Sequence, residues 1–580
     1  MVNIVLKQRQ FPTENITLSN TIHPLLQRIY RLRGICSDEQ LNYSTQLLEN
    51  YNQLAGIDQA VEILYQNAKA QKKIFIVGDF DTDGATSTAL IVTALNKMGV
   101  KNVSYLIPDR FEEGYGLSIP VVKRALARQA ELIITVDNGI SAFEAVQFAK
   151  ENNIQVIITD HHLTPELLPN ADAIINPNLP YCQFPSKNLA GVGVTFYFML
   201  AFRAFLREKT WFEQQNIAEY NLANLLDLVA LGTIADVVNL DQNNRILVQQ
   251  GLYRIRSGCC CSGISALIKT TKCNQQKLSS LDLSFYLSPK INAAGRLENM
   301  SLGVELLISQ HDEEATEIAN ILEELNKERK SIEQNMHTEA LEFIHQLEQE
   351  TLEVPNSFVI YHPNFHQGVV GVLSSRIKEK FYRPVISFAL TDNGFLKGSG
   401  RSILGIHLRD VLEKIHHESP DMIVHFGGHA MAAGLTIHKD NLEKFSTAFE
   451  QAIAEILNNV ALEHIVETDG VIENEYFNYQ TAKMLKEAGP WGAAFPEPLF
   501  CGDFVIHQQK LLSGKHLKMV IEPIEGGPLL NAMAFNIDRS IWPDLSIKKI
   551  QAAYILELDE FRGNQGVTLF IRHLLPVHPV

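Results

Sequence analysis

The chain is predicted to be an α/β protein in three parts: a parallel-sheet domain, a smaller α/β domain reached through a long helix, and a C-terminal β-barrel. Three observations predict it. Short apolar runs alternate with helical stretches between residues 74 and 175. A long segment from Ala315 to Leu347 keeps three-and-four apolar spacing amid Glu and Lys, and after residue 465 short strands return between polar turns. Strand–helix alternation marks a parallel sheet, and three-and-four spacing marks an amphipathic helix.

Residues 1–50 form an N-terminal segment whose opening lacks the apolar core of a secretion signal. In the first domain, residues 51–308, strands are expected at 74–77, 103–107, 132–136, 156–159 and 173–175. Helices are expected at 85–97, 119–130 and 141–151. The apolar run from Ala190 to Phe202 stops at Arg203, short of the ~20 residues a membrane helix needs. In the connecting helix, residues 309–352, apolar positions run Ile318, Ile321, Leu322, Leu325, Ile332, Met336, Ala340, Ile344 and Leu347. Its periodic part would extend roughly 50 Å at 1.5 Å per residue, as a core helix or as a spacer between lobes. A second α/β domain, 353–464, begins at Ser357 and carries Gly-rich segments near 398 and 427. Residues 465–580, with strands such as 517–521 and 552–558, suit a small OB-like barrel about as well as an undefined β domain.

Length and composition agree: 580 residues imply three to five domains at roughly 100–200 residues each. With 46% hydrophobic and 20% charged residues, a mainly disordered chain is excluded. The net charge of −16 argues against a nonspecific polycation but leaves room for a local basic groove. The seven cysteines contain no C-x-x-C pair, so neither a zinc site nor a disulfide framework is suggested, and Cys259–Cys261 read as packing or loop. A soluble protein of a reducing compartment is expected.

Ligands of open α/β sheets bind beyond the carboxyl ends of the strands. Asp79, Asp81 and Asp83 follow the first strand, Asp137 another, and Asp160-His161-His162 a third; Asp236 comes from a later loop. An EF-hand is excluded because loop position twelve, counted from Asp79, is Leu90 rather than Glu. Three carboxylates this close repel unless a cation or protons neutralise them. With imidazole added, the set suits Mn²⁺ or Mg²⁺ better than zinc. Asp236 lies in an apolar stretch and reads equally as a ligand or as a hydrogen-bonded capping residue. Carboxylates around two cations are a common solution for phosphoester hydrolysis. No G-x-S-x-G elbow and no P-loop is present.

The segments Val77–Gly84, Val136–Gly139, Thr159–His162 and Gly232–Val238 resemble the four motifs of the DHH phosphoesterase superfamily. Ile107–Arg110, Pro289–Arg296, Gly398–Arg401, Gly427–Gly434 and Pro490–Pro498 extend the likeness to its bacterial single-strand-specific 5′→3′ DNA exonucleases. The resemblance implies that Asp81, Asp83, Asp137, His161 and Asp236 hold two Mn²⁺ or Mg²⁺ ions. Asp79, Asp160 and His162 would stand behind them or contact the scissile phosphate, with His429 donating to it beside Gly427 and Gly428. Arg110, Arg296, Ser399 and Arg401 would grip the terminal 5′-phosphate, for which a planar guanidinium fork is suited.

The implied reaction releases 5′-mononucleotides from single-stranded DNA in repair and recombination. It implies a bacterial cytoplasmic monomer with no membrane association, working with single-strand-binding protein and a RecQ-type helicase. Trp491 and Phe495, near Lys510, Lys515 and Lys518, read either as a stacking platform for the strand or as core aromatics. A smaller-substrate hydrolase would leave the barrel and the arginine set without a use. An inactive scaffold would be expected to have lost acidic ligands, and all are present.

Overall fold

The computed structural model describes every residue except 1–2, 13–16, 352–354, 392, 459–461, 538, 540, 561–564 and 578–580. The chain divides into two compact units: residues 6–323 with 467–580, and residues 324–466 with 1–5.

The first unit is built on five parallel strands: β1 (Ile74–Val77), β2 (Val103–Leu106), β3 (Leu132–Val136), β4 (Gln155–Thr159) and β5 (Ala173–Ile175). Their order is β2-β1-β3-β4-β5. Strands β1 and β3 are buried throughout, which explains their mostly apolar sequences, Ile-Phe-Ile-Val and Leu-Ile-Ile-Thr-Val. After β1 the chain goes to one side of the sheet and after β2 it crosses to the other. The crevice between the ends of β1 and β3 is therefore the topological switch point, where such sheets place ligands.

Helix α1 (Thr82–Lys97) leaves β1 three residues earlier than the sequence suggests, because Asp81 caps it by accepting from the Gly84 N–H at 3.0 Å. Its first turns are small residues (Gly84, Ala85, Thr86, Ser87, Thr88, Ala89), all buried, which allows close packing on α2 (Gly191–Glu208) and α3 (Leu226–Ala235). The apolar run at 190–202 is the buried body of α2, and among the described residues no helix is long and apolar enough to cross a membrane.

Residues 500–577 form a closed five-stranded barrel with one parallel pair, Leu530–Ala534 against Gly566–Val577. Trp491 and Phe495 lie beside it but are 3% and 1% exposed, so they cannot stack on a strand. Their rings stack at 5.1 Å, with the guanidinium of Arg33 over Trp491 and that of Arg245 over Phe495. Ser280 Oγ donates to the Trp491 carbonyl at 2.7 Å. These aromatics join the barrel to the first domain; of the two readings open from sequence, the core one holds.

Helix α4 (Ser288–Leu297) also belongs to this unit. Helix α5 (Asp312–Thr351) has 40 residues, roughly 60 Å, longer than its periodic part implied. Asp312, Glu313 and Glu314 extend its start, where acidic groups complement the helix dipole.

The second unit has strands β6 (Phe358–Tyr361), β7 (Val385–Leu390), β8 (Phe395–Arg401), β9 (His425–Gly428) and β10 (Ala432–His438), in the order β9-β10-β8-β7-β6. Only β6 and β7 run parallel. Helix α6 (Val370–Phe381) packs on β7 and β8, and Ile386, Phe388, Leu435, Phe445 and Phe449 lie in the core on this sheet.

Candidate metal centre and phosphate site

The switch-point crevice gathers all the acidic motifs. Asp81 sits at the N-cap of α1 and Asp83 in its first turn. Asp83 is held from α2: its Oδ2 accepts from the Gly191 N–H at 2.6 Å and its Oδ1 from the Val192 N–H at 2.9 Å. The positive end of α2 thus faces a buried carboxylate. A Cβ on Gly191 would fall 2.4 Å from Cβ of Asp137, so glycine is what lets α2 approach Asp83 and Asp137 together.

Asp137 ends β3 with φ 63°, a left-handed conformation uncommon outside glycine that turns its carboxylate into the crevice. Asn138 braces it, its Nδ2 donating to the carbonyls of Val77 and Val136. Asp160 ends β4 and organises both histidines. Its Oδ1 accepts from the N–H groups of His161 and His162 and from His162 Nδ1 at 2.7 Å, while its Oδ2 accepts from the Ile140 N–H. Asp236 arrives differently from the expected loop: it is the C-cap of α3. A carboxylate there opposes the helix dipole, which a cation would offset.

His161 is central. Its Nε2 lies 3.0 Å from Asp137 Oδ1, 3.5 Å from Asp236 Oδ2 and 3.9 Å from Asp83 Oδ2. Three groups have ligand atoms mutually within 4.8 Å: Asp79, Asp81 and Asp137; Asp83, His161 and Asp236; and Asp137, His161 and His162. The structure therefore brings Asp79 in among the prospective ligands, while Asp160 stands behind the histidines. Asp137 belongs to two of the groups, as a carboxylate shared between adjacent cations would.

The electrostatics match. Burial, reinforced by the neighbouring carboxylates, pushes Asp79, Asp137 and Asp236 well above the usual carboxylate range and Asp83 up to about 7. Burial, with the charge of His162 adding, lowers His161 to about 4, so it stays a neutral imidazole able to ligate. Burial also opposes charge on His162, but its hydrogen bond and attraction to Asp160 prevail and raise it to about 9. Asp79 Oδ1, Asp137 Oδ1 and His161 Nε2 are buried with no hydrogen-bond partner. Unpaired carboxylate oxygens beside an unprotonated imidazole nitrogen fit divalent-cation ligation.

Sequence reasoning missed the supporting residues. Tyr115 Oη donates to the Asp137 carbonyl at 3.2 Å and lies 3.4 Å from His162 Nε2. Asn292 on α4 accepts from the N–H and hydroxyl of Thr82, at 2.8 and 3.0 Å, pinning α4 against the Asp79–Asp83 loop. Arg296 lies in the last turn of that helix, and Arg110 stacks on Phe80 at 4.0 Å from the ring centre, attracted by Asp79 and Asp81. Asn138, Tyr115 and Asn292 could have been suspected from the V-D-N-G, G-Y-G and P-K-I-N-A-A-G-R runs.

In the second unit, Ser399 and Arg401 share one face of β8, and Arg401 Nη1 donates to Ser399 Oγ at 3.1 Å. Burial lowers the Arg401 pKa with no carboxylate to offset it. Gly427 and Gly428 are the end of edge strand β9 rather than a loop, and His429 begins the turn to β10, its N–H donating to the Ala432 carbonyl at 2.8 Å.

A doubly wound parallel sheet with a cation-seeking acidic cluster at its switch point is the class this geometry defines, and the DHH family's N-terminal domain matches residues 73–233. The DHHA1 domain matches 355–455 and the RecJ OB domain 468–573. The chain is 51% identical to the single-stranded-DNA-specific exonuclease RecJ of Salmonella typhimurium, over 98% of this chain and 99% of that one. Identity to RecJ of Haemophilus influenzae is 51% over 99% of each. The crystal structure of Thermus thermophilus RecJ in complex with Mn²⁺ superposes with a TM-score of 0.77 at 25% identity, covering 97% of this chain and 77% of that one. This chain belongs to the RecJ family.

Proposed function

We propose that the protein is an exonuclease that hydrolyses single-stranded DNA from the 5′ end and releases 5′-mononucleotides, in repair and recombination. The observation that carries this reading is the buried cluster in which Asp137 Oδ1 and His161 Nε2 face each other at 3.0 Å without a hydrogen bond. Asp79, Asp81, Asp83, Asp137, His161 and Asp236 would hold two Mn²⁺ or Mg²⁺ ions. Bound there, such ions acidify the attacking water and neutralise the phosphorane-like transition state. Asp160 fixes the His162 ring through Nδ1 and the His161 backbone through its N–H, so that a neutral His161 presents a lone pair while His162, its pKa raised to about 9, offers a proton toward a phosphate oxygen.

The same reading gives the terminal 5′-phosphate to Arg110, Arg296, Ser399 and Arg401, and a phosphate contact to Gly427, Gly428 and His429. On the barrel side, exposed Phe285, Tyr286 and Phe535 line a groove of about 410 Å³ with Lys486 and Arg572. Phe285 and Tyr286 sit on a π-helical turn, a distortion often found at functional sites. In this proposal these aromatics take the stacking role that was one of two readings for Trp491 and Phe495. Single-strand-binding protein and a RecQ-type helicase as partners, a monomeric state and a bacterial cytoplasmic location complete the proposal.

Digesting strands labelled at the 5′ or the 3′ end, with Mn²⁺, Mg²⁺ or EDTA, tests it. Expected are early release of 5′ label as mononucleotide, late release of 3′ label, and no cleavage in EDTA. Early release of 3′ label would overturn the polarity.

A further inference from the structure

We infer that Gly371 is a specificity-determining residue for the 5′ end: its missing side chain keeps open the space into which Ser399 and Arg401 present their donors to a terminal phosphomonoester. The inference rests on the 5′-phosphate reading of that pair.

Gly371 lies in the first turn of α6, buried against β8. One turn on, Ser374 Oγ donates to the Ser399 carbonyl at 2.7 Å and pairs with the Ser387 hydroxyl at 2.9 Å, fixing the distance between helix and strand. A Cβ built on Gly371 would fall 2.9 Å from Ser399 Oγ, 3.1 Å from Arg401 Nη2 and 3.6 Å from Ser399 Cβ. The first is closer than a methyl group tolerates, the second is tight enough that the guanidinium must shift, and the Ser374 bonds resist withdrawal of the helix. The side chains that must give way are therefore the two polar ends.

Glycine costs helix propensity relative to alanine, and what it clears is the space in front of Ser399 and Arg401. Arg401 is half-buried, and among the described residues no carboxylate offsets its charge; Arg401 and Ser399 already share a hydrogen bond that aligns them. The amide dipoles of α6 place positive potential at the same spot. A guanidinium edge, a hydroxyl and a helix start around a side-chain-free position suit a dianionic phosphate better than a bridging diester, which carries one charge and two substituents. Gly371→Ala would put a methyl group where the phosphate oxygens need to be and turn Nη2 aside.

The test is the ratio of kcat/KM on 5′-phosphorylated and 5′-hydroxyl oligodeoxythymidylate with Mn²⁺, measured for the full chain and for Gly371→Ala, Ser399→Ala, Arg401→Ala and Gly371→Ala/Ser399→Ala. Each ratio is internal to one protein, so partial misfolding cancels. Gly371→Ala is expected to lower the ratio about tenfold, the scale of one charge-assisted hydrogen bond. The double variant should lose less than the product of the single losses, because removing Oγ removes the nearest clash. If Arg401→Ala lowers the ratio and Gly371→Ala leaves it at the parental value, the clearance role is wrong and the 5′-phosphate reading stands. If neither variant changes the ratio, the 5′-phosphate reading itself is wrong.

Discussion

The switch-point crevice and the β8 site are electrostatic opposites. In the crevice, buried carboxylates crowd around one neutral imidazole, and burial with mutual repulsion raises the pKa values of the acids. At β8 a half-buried guanidinium bonds a hydroxyl and a backbone carbonyl, and among the described residues no acid balances it. Each folds in a state that a ligand of the opposite sign would relieve, and burial is what makes each selective: a surface charge would be satisfied by water and salt. The contrast separates hydrolysis, which belongs to the acidic site, from choice of end, which belongs to the basic one.

The sharpest way to break this division is to remove one carboxylate. Asp137→Ala should slow hydrolysis by roughly a hundred- to a thousandfold, the scale of losing one preorganised electrostatic group, while single-strand binding measured by fluorescence anisotropy stays near parental. Near-parental turnover under saturating Mn²⁺ would show that the crevice is not the reaction centre. Next in size, Arg401→Ala should weaken processing of 5′-phosphorylated strands ten- to a hundredfold, from about 1.5–3 kcal/mol for a charge-assisted hydrogen bond. Strands with a 5′-hydroxyl should be affected much less, and Arg401→Lys should recover only part of the loss because it lacks the planar fork. An equal loss on both ends would make Arg401 a general backbone contact.

How much of this contrast the sequence carried differs between its halves. The strands of the first sheet were legible to within about one residue, because parallel strands buried on both faces are unbroken apolar runs bounded by Gly and Asp. The start of α1 was not: Asp79–Gly84 has turn composition, and only capping by Asp81 shows that Thr82–Gly84 are already helical. Helix α3 is apolar all round, so it has no period to read, and Asp236 looked like loop instead of a helix end. The acidic residues stood out individually. What holds them did not, because the Gly191, Val192 and Asn292 contacts join segments more than a hundred residues apart. Trp491 and Phe495 stayed open between two readings for the same reason, since burial of an aromatic beside lysines is decided by what packs over it.

Two smaller effects sharpen the comparison. Replacing Phe285 and Tyr286 by Ala should weaken single-strand binding by about 1–3 kcal/mol per stacked base, without altering the preference between 5′ ends; a changed preference would tie the groove to end sensing. The acidic site should also show a pH signature. Asp83 has its pKa raised to about 7 on folding, so it contributes stability below the ordinary carboxylate value and loses that contribution as pH rises through 7. A cation that replaces those protons should therefore raise the melting temperature more at pH 8 than at pH 5, by several degrees. An equal Mn²⁺ shift at both pH values would place the ion elsewhere.

The most direct measurement is the number of Mn²⁺ ions bound per chain, by isothermal titration or by loss of the free-ion paramagnetic resonance signal. Two ions are expected for the parental protein, in keeping with the sharing of Asp137 between ligand groups, and at most one tight ion for Asp137→Ala. Two ions bound with unchanged affinity by Asp137→Ala would contradict the assignment of the crevice as the metal centre.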